Sequence, residues 1–365
     1  LGDQSYDLVV VCYLQIPAEG RRTAHASAAA AVAPGGTLLV VALAAVAAQP
    51  PTPHTNVAVP ALGPANAVDH EAGPTASEEA GPPLGPLATA LQSEIRDALK
   101  ATDWPDLVPS MEAVITGPRA APEVEDCGSP EVIPGDDCTW GSPDAPTKIV
   151  LVGDSVALAY ATPLRLIALN SNGQIQVHSE TLAGCEFADD LIDNPDAGVM
   201  DACPARKQRA IDVINATRPS VVVVSNSYGE KRIDQRVVDT PDWVGSVQRI
   251  LAKITTPTKI VMLAAPPADV NIAECFAHRG VTPADCISKV TGLWNTMADA
   301  GQQTATATGG VWMDSRTWFC NDQLCPAFVG VTPTKRDTPH MAPAYGEKIA
   351  PVIAESFREA GILPS

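Results

Sequence analysis

From Thr147 onward the chain alternates between short apolar runs and longer stretches with helical periodicity. KIVLVGDS (residues 148–155) is a buried strand ending in a turn, and VALAYATPLRLIALN follows as a helix. QIQVHSE is a second strand. ARKQRAIDVINAT is a helix that leads into Ser220–Val224, a third strand. TPDWVGSVQRILAKI predicts a helix, KIVMLAAPP a fourth strand, residues 284–305 a further helix, GVWMDS a fifth strand, and residues 344–361 a closing helix. Strands that read as continuous apolar runs, each followed by a helix, imply a parallel sheet covered on both faces. One α/β domain is expected over 147–365, with its site at the carboxyl ends of the strands.

Upstream, the pattern is different. Leu87, Leu91, Ile95 and Leu99 recur at helical spacing, and Trp104, Leu107 and Met111 follow. This predicts an amphipathic helix that packs on the main domain. Residues 86–146 therefore read as a helical, cysteine-bearing lead-in. Residues 50–85 are rich in Pro, Gly, Ala and acidic side chains without periodicity, the composition of a linker.

Two readings stay open for residues 1–49. Leu8–Val11 reads as a strand, Ala24–Val32 as a helix, and Ala33-Pro34-Gly35-Gly36 as a turn before a strand at Thr37–Val41. This piece resembles a fragment of a class I methyltransferase. The Gly-rich cofactor loop and acidic ribose partner of such an enzyme are not in the sequence, so methyl transfer is not expected. Alternatively, the run TLLVVALAAVAA (37–48) is the end of a membrane helix, too short to span a bilayer alone.

Composition narrows the function classes. Hydrophobic residues make up 45% of the chain but aromatics only 4%, so Ala and Val supply the core. The net charge of -18 excludes a nucleic-acid partner, which would need clustered Lys and Arg. Nine cysteines are present, and eight of them fall from residue 127 onward in close succession: 127 and 138, 185 and 203, 275 and 286, 320 and 325. Such a set implies disulfides and an oxidising compartment, the periplasm or cell wall, although nearest-neighbour pairing is one of 105 connectivities. Zinc is the rival reading. The spacings lack a CxxC pair and histidine is scarce nearby, so no metal is expected.

The candidate chemistry lies in two short motifs. Gly153-Asp154-Ser155 ends the first strand of the α/β region, and Asp337-Thr338-Pro339-His340 precedes the last helix. A serine needs a base to take its proton, and the histidine needs a carboxylate to hold its ring and stabilise the imidazolium. Ser155, His340 and Asp337 supply these three roles. A lone GDS is usually just a turn. The pair of motifs, in this order and at these elements, is what favours catalysis. His178 and His278 read as structural or exposed, and Asp314 as a cap.

These residues resemble the SGNH, or GDSL-type, serine hydrolases over roughly residues 145–362. The resemblance implies a three-layer α/β/α flavodoxin-like fold with a central parallel sheet. It implies that Ser155 is the nucleophile and, through its backbone amide, the first oxyanion donor. Gly184 in TLAGCEF would be the second donor, by its amide, and Asn226 in VVVSNSYGE the third, by its side chain. The usual GxND of this last block is altered, with its glycine missing and Ser227 in place of aspartate. CTWGSPDAPTK leading into the GDS strand, the apolar segment, the Pro-rich linker and the cysteines together resemble the C-terminal SGNH domain of bacterial membrane acyltransferase-3 proteins. That likeness implies a membrane acyltransferase domain as acyl donor, a glycan as acceptor, possible membrane anchoring, and no cofactor. O-acyl transfer to, or ester hydrolysis on, cell-envelope carbohydrate is the expected chemistry. A plain carbohydrate or lipid esterase and a non-catalytic glycan-binding module are the alternatives.

Overall fold

The structure is a computed structural model that describes residues 6–12, 32–41, 84–267 and 269–364, the first two stretches by backbone alone. The chain divides into two compact units, Leu1–Ser77 and Glu78–Ser365.

In the first unit, β1 (Tyr6–Cys12) pairs in parallel with β2 (Val32–Val41). The partners run from Tyr6 and Val32 to Leu8 and Thr37, five residue steps against two. The Ala33–Gly36 segment, expected as a turn before a strand, is thus a bulge inside one. Over 32–41 the backbone is strand, not helix. Residues 42–48 of the apolar run, and all of the expected 24–32 helix except Val32, lie outside the described residues.

The second unit contains α1 (Pro86–Ala98), β3 (Thr139–Gly141), β4 (Thr147–Gly153), α2 (Ser155–Leu169) and β5 (Ile175–Ser179). It continues with α3 (Ala197–Thr217), β6 (Val221–Ser225), α4 (Thr240–Leu251), β7 (Lys259–Leu263), α5 (Gly292–Ala307), β8 (Val311–Met313) and α6 (Pro343–Glu359). Six strands form one sheet in the order β8-β7-β6-β4-β5-β3. All neighbours are parallel except β3, which runs antiparallel to β5. Residues just before 147 therefore supply an edge of the sheet.

Strand periodicity sorts the core into two layers. Ile149, Leu151, Val221, Val223, Val261 and Leu263 face one side, with α1, α2 and α6. Val150, Val152, Val222, Val224, Ile260 and Met262 face the other, with α3, α4 and α5. This is the three-layer α/β/α arrangement that the sequence predicts.

Three elements differ from expectation. The buried stripe of α1 is Ala88, Leu91 and Ile95; Leu87 is exposed, because the helix turns its Ala88 face to α6. Asp196 starts α3 early, accepting from the Gly198 and Val199 amides, well before Ala205. The helix expected from residue 284 begins only at Gly292, capped by Thr291. Before it, the Cys275–Cys286 bridge holds a short 3₁₀ turn, and Ser288–Lys289 pairs with Leu324–Cys325 instead. Cross-strand pairing and a disulfide override the local helical pattern there. Trp104, Leu107 and Met111 pack with Ile272 and Phe276, the Trp104 and Phe276 rings meeting edge to face at 5.2 Å.

Candidate active site

At the carboxyl end of β4 the chain turns sharply. Gly153 has φ +138°, and a Cβ there would strike the Ser225 carbonyl of β6, so only glycine permits this approach. Buried Asp154 caps α2, its Oδ1 accepting from the Val156 amide at 2.9 Å. Its Oδ2 accepts from the Ser227 amide at 2.8 Å. Ser155 opens α2, where unpaired amides and the helix dipole favour negative charge.

The loop just before α6 carries the other motif. The Arg336 amide donates to the His340 carbonyl at 3.0 Å and Lys335 bridges to Met341, closing a tight turn around residues 337–340. Within it Asp337 accepts the His340 amide at 3.0 Å and takes His340 Nδ1 between its two oxygens, at 2.7 and 2.8 Å. His340 Nε2 lies 2.8 Å from Ser155 Oγ. Burial works to raise the Asp337 pKa. The His340 hydrogen bonds and charge, with Arg336 beside it, outweigh burial and hold the carboxyl below its ordinary value. The structure thus joins Ser155, His340 and Asp337 in one hydrogen-bonded chain.

The oxyanion candidates flank this chain on neighbouring strands. Gly184 lies after β5 at φ +81°, where a side chain would press on Asn194. Its carbonyl accepts from Asn194, while its amide donates to no atom among the described residues. The Leu182 amide ties this loop to the Gly153 carbonyl at 3.1 Å. Asn226, after β6, is buried, and its side chain is already engaged. Oδ1 accepts the Phe187 amide at 2.8 Å, and Nδ2 makes a long 3.4 Å bond to the Phe187 carbonyl. One Nδ2 hydrogen remains for an oxyanion.

Several supporting residues give no motif signal. Arg206 is buried and donates to the carbonyls of Cys127, Ser129, Val132 and Thr181, fastening the lead-in to the Gly184 loop. Lys231 bonds Glu186 at 2.7 Å and Ser227 at 2.9 Å. Lys335 is buried and donates to the Pro267 carbonyl; burial brings its pKa down to about 7, against the pull of Asp269 and Asp337. ARKQRA reads as a solvated helix face, so nothing in the local pattern marks Arg206 as buried. His178 bonds Thr139 and Glu180 and takes no part in the Ser155 chain. His278 is exposed, and Asp314 accepts the Arg316 amide as a cap does. Among the described residues no cluster of His, Cys, Asp or Glu could hold a metal ion.

Residues 124–355 match the model of the SGNH domain that is fused to AT3 domains. The chain belongs to this SGNH family. It is an SGNH-type esterase or acyltransferase, acting on acyl esters. No curated protein matches it significantly. Among solved structures, the periplasmic domain of a lipopolysaccharide acetyltransferase from Salmonella ser. Paratyphi A aligns with TM-score 0.49 and 15% identity, covering 75% of this chain and 97% of that one. A carbohydrate acetylesterase from Sinorhizobium meliloti aligns with TM-score 0.40 and 10% identity, over 59% of this chain and 99% of its own. An aryl esterase from M. smegmatis aligns with TM-score 0.39 and 12% identity, over 58% and 99%. All eight cysteines of this SGNH chain from residue 127 onward are paired: Cys127–Cys138, Cys185–Cys203, Cys275–Cys286 and Cys320–Cys325. No helix among the described residues is long and apolar enough to cross a membrane.

Proposed function

We propose that the protein forms an acyl-Ser155 intermediate and passes the acyl group to, or removes it from, a hydroxyl of cell-envelope carbohydrate. The observation that carries this reading is the 2.8 Å contact between Ser155 Oγ and His340 Nε2, with His340 Nδ1 held by Asp337. Ser155 Oγ attacks the ester carbonyl as His340 takes its proton. The tetrahedral oxyanion is stabilised by the amides of Ser155 and Gly184 and by Asn226 Nδ2. The acyl C–O bond then breaks, and His340 protonates the departing alkoxide. In the second half, His340 takes a proton from an incoming sugar hydroxyl or water, which attacks the acyl carbon. The acyl–Oγ bond breaks, and the proton returns to Ser155. Asp337 stabilises the imidazolium in both halves without accepting the proton.

Membership of a family fused to AT3 domains supports a membrane acyltransferase as donor partner; in this reading the acceptor is a glycan. Four disulfides support an oxidising, extracytoplasmic setting, periplasm or cell wall. In this reading residues 50–85 are a linker, 86–146 a lead-in braced on the catalytic domain, and 1–49 a separate apolar segment. The full chain, incubated with p-nitrophenyl acetate alone and with a sugar acceptor beside Ser155→Ala, tests the proposal. Ser155-dependent acylated sugar marks a transferase, and Ser155-dependent release without it marks an esterase. Absence of both turnover and an acyl-Ser155 adduct would leave a glycan-binding module.

A further inference from the structure

A cavity of about 490 Å³ opens beside the catalytic loop. This is within the range of about 300–1,000 Å³ typical of small-molecule sites. One wall is Thr338 and Pro339, the two residues between Asp337 and His340. Another part of the lining is Ser227, Tyr228 and Gly229, which follow directly on Asn226. Its floor and rim are Pro266, after β7, and Leu293 and Trp294, at the start of α5. Every wall is therefore a loop or helix start at the carboxyl edge of the sheet, and two of the walls adjoin candidate catalytic groups.

The lining is mostly carbon; of its side-chain polar groups the Tyr228 and Thr338 hydroxyls have no partner among the described residues, and the others are engaged. The Trp294 indole N–H donates to the Ala265 carbonyl at 2.9 Å, and Thr291 Oγ1 accepts from the Trp294 amide at 3.0 Å. Ser227 Oγ accepts from Lys231. Tyr228 and Trp294 pack on each other at 5.7 Å, and Trp294 is only 2% exposed, so it has no open face on which a sugar ring could stack. Leu293, by contrast, is 46% exposed and stands at the mouth. A hydroxylated ring entering here would lose several waters for at most the two hydroxyls of Tyr228 and Thr338, whereas an alkyl chain has no hydrogen bonds to replace.

We propose that this cavity holds the acyl chain of the substrate, and that the preferred acyl group is butyryl to hexanoyl rather than acetyl. The inference rests on the acyl-Ser155 reading, since it assumes that the ester carbonyl sits between Ser155 and His340 with its alkyl tail directed past Thr338 and Pro339.

The test compares kcat/KM of the full chain for p-nitrophenyl acetate, butyrate and hexanoate, with intact-mass detection of acyl-Ser155. Each buried methylene should raise kcat/KM about fourfold. Leu293→Asp, a change at a half-exposed rim, should cut the hexanoate-to-acetate ratio by at least tenfold. Gly229→Leu should do the same, because Gly229 lines the cavity and a Cβ there meets nothing within 4 Å, so the wall can carry a bulky side chain without a clash. Leu169→Asp, at the exposed end of α2, should leave the ratio unchanged. Ser155-dependent acetate turnover with a hexanoate-to-acetate ratio of one or less overturns the acyl-chain assignment and spares the acyl-Ser155 reading. A ratio untouched by both cavity variants does the same. Failure of every ester to give Ser155-dependent release or adduct overturns both.

Discussion

Arg336 Nη1 lies 2.9 Å from Asp337 Oδ2, so the carboxylate that orients His340 is itself shared with a guanidinium. The same side chain donates through Nε to the Gly117 carbonyl at 2.8 Å, which fixes it to the lead-in. Arg336→Met should lower kcat/KM roughly tenfold, the scale of losing one hydrogen bond to a charged group, and Arg336→Lys should recover part of that. The pKa of Asp337 is held low in the fold. Its contribution to stability is therefore present above its ordinary carboxylate value and lost as pH falls through the lower, folded value. Without Arg336 the folded value should move up, so that the contribution is smaller and is completely lost at a higher pH. Urea midpoints of both proteins between roughly pH 6 and pH 3 would show it; identical curves would deny Arg336 this role.

Asn226 can be separated into its two functions. Asn226→Asp keeps an oxygen to accept the Phe187 amide but removes the Nδ2 donor. If the donor serves the oxyanion, kcat should fall by about 10²–10³ in protein that is still folded at the assay temperature, the melting temperature reading separately the cost of a buried carboxylate facing the Phe187 carbonyl. A variant as active as the parent would reduce Asn226 to a brace for the Phe187 loop.

Lys335 should make stability rise with pH. Its folded pKa is about 7, below the ordinary lysine value, so between these limits the unfolded chain binds the extra proton. The slope this lysine can add is at most about 1.4 kcal/mol per pH unit, beginning near neutrality and ending near the ordinary lysine pKa. Lys335→Met should flatten the curve over that interval relative to the parent. Urea unfolding at a series of alkaline pH values is the measurement, and parallel curves would refute the assignment.

The Cys185–Cys203 bridge closes an 18-residue separation that starts next to Gly184. Replacing both cysteines by serine should cost about 2–4 kcal/mol in stability. Because Gly184 is a candidate oxyanion donor, kcat should drop more than KM rises. With eight of nine cysteines paired, thiol titration under denaturing, non-reducing conditions should find one per chain. A count near nine would remove the argument for an oxidising compartment.

What could be read from the sequence follows from how local each signal is. SVVVV and KIVML announce buried parallel strands because two covered faces leave no room for polar alternation. Asp337 and His340 are legible because one short turn contains both. The meeting of Ser155 with His340, 185 residues apart, could be read only because one motif ends the first strand and the other precedes the last helix, which the family resemblance then reinforced. Residues 284–291 misled because their pattern is helical, whereas their fate is set by Cys275 and by the strand at Leu324–Cys325. Lys335 and Arg206 were invisible for a related reason. Their partners are backbone carbonyls of distant segments, and carbonyls carry no residue-specific signal in a sequence.

Asp154 grips in two directions at once, one oxygen on the helix behind Ser155 and the other on the strand end beyond Asn226. In the proposed mechanism the attacking hydroxyl and one shoulder of its anion cradle are thereby welded into a single casting. If the cavity lined by Leu293 and Pro339 takes the acyl chain, whatever breathing a bulkier ester demands must come from that side, and drift in substrate taste among descendants of this chain should be recorded there.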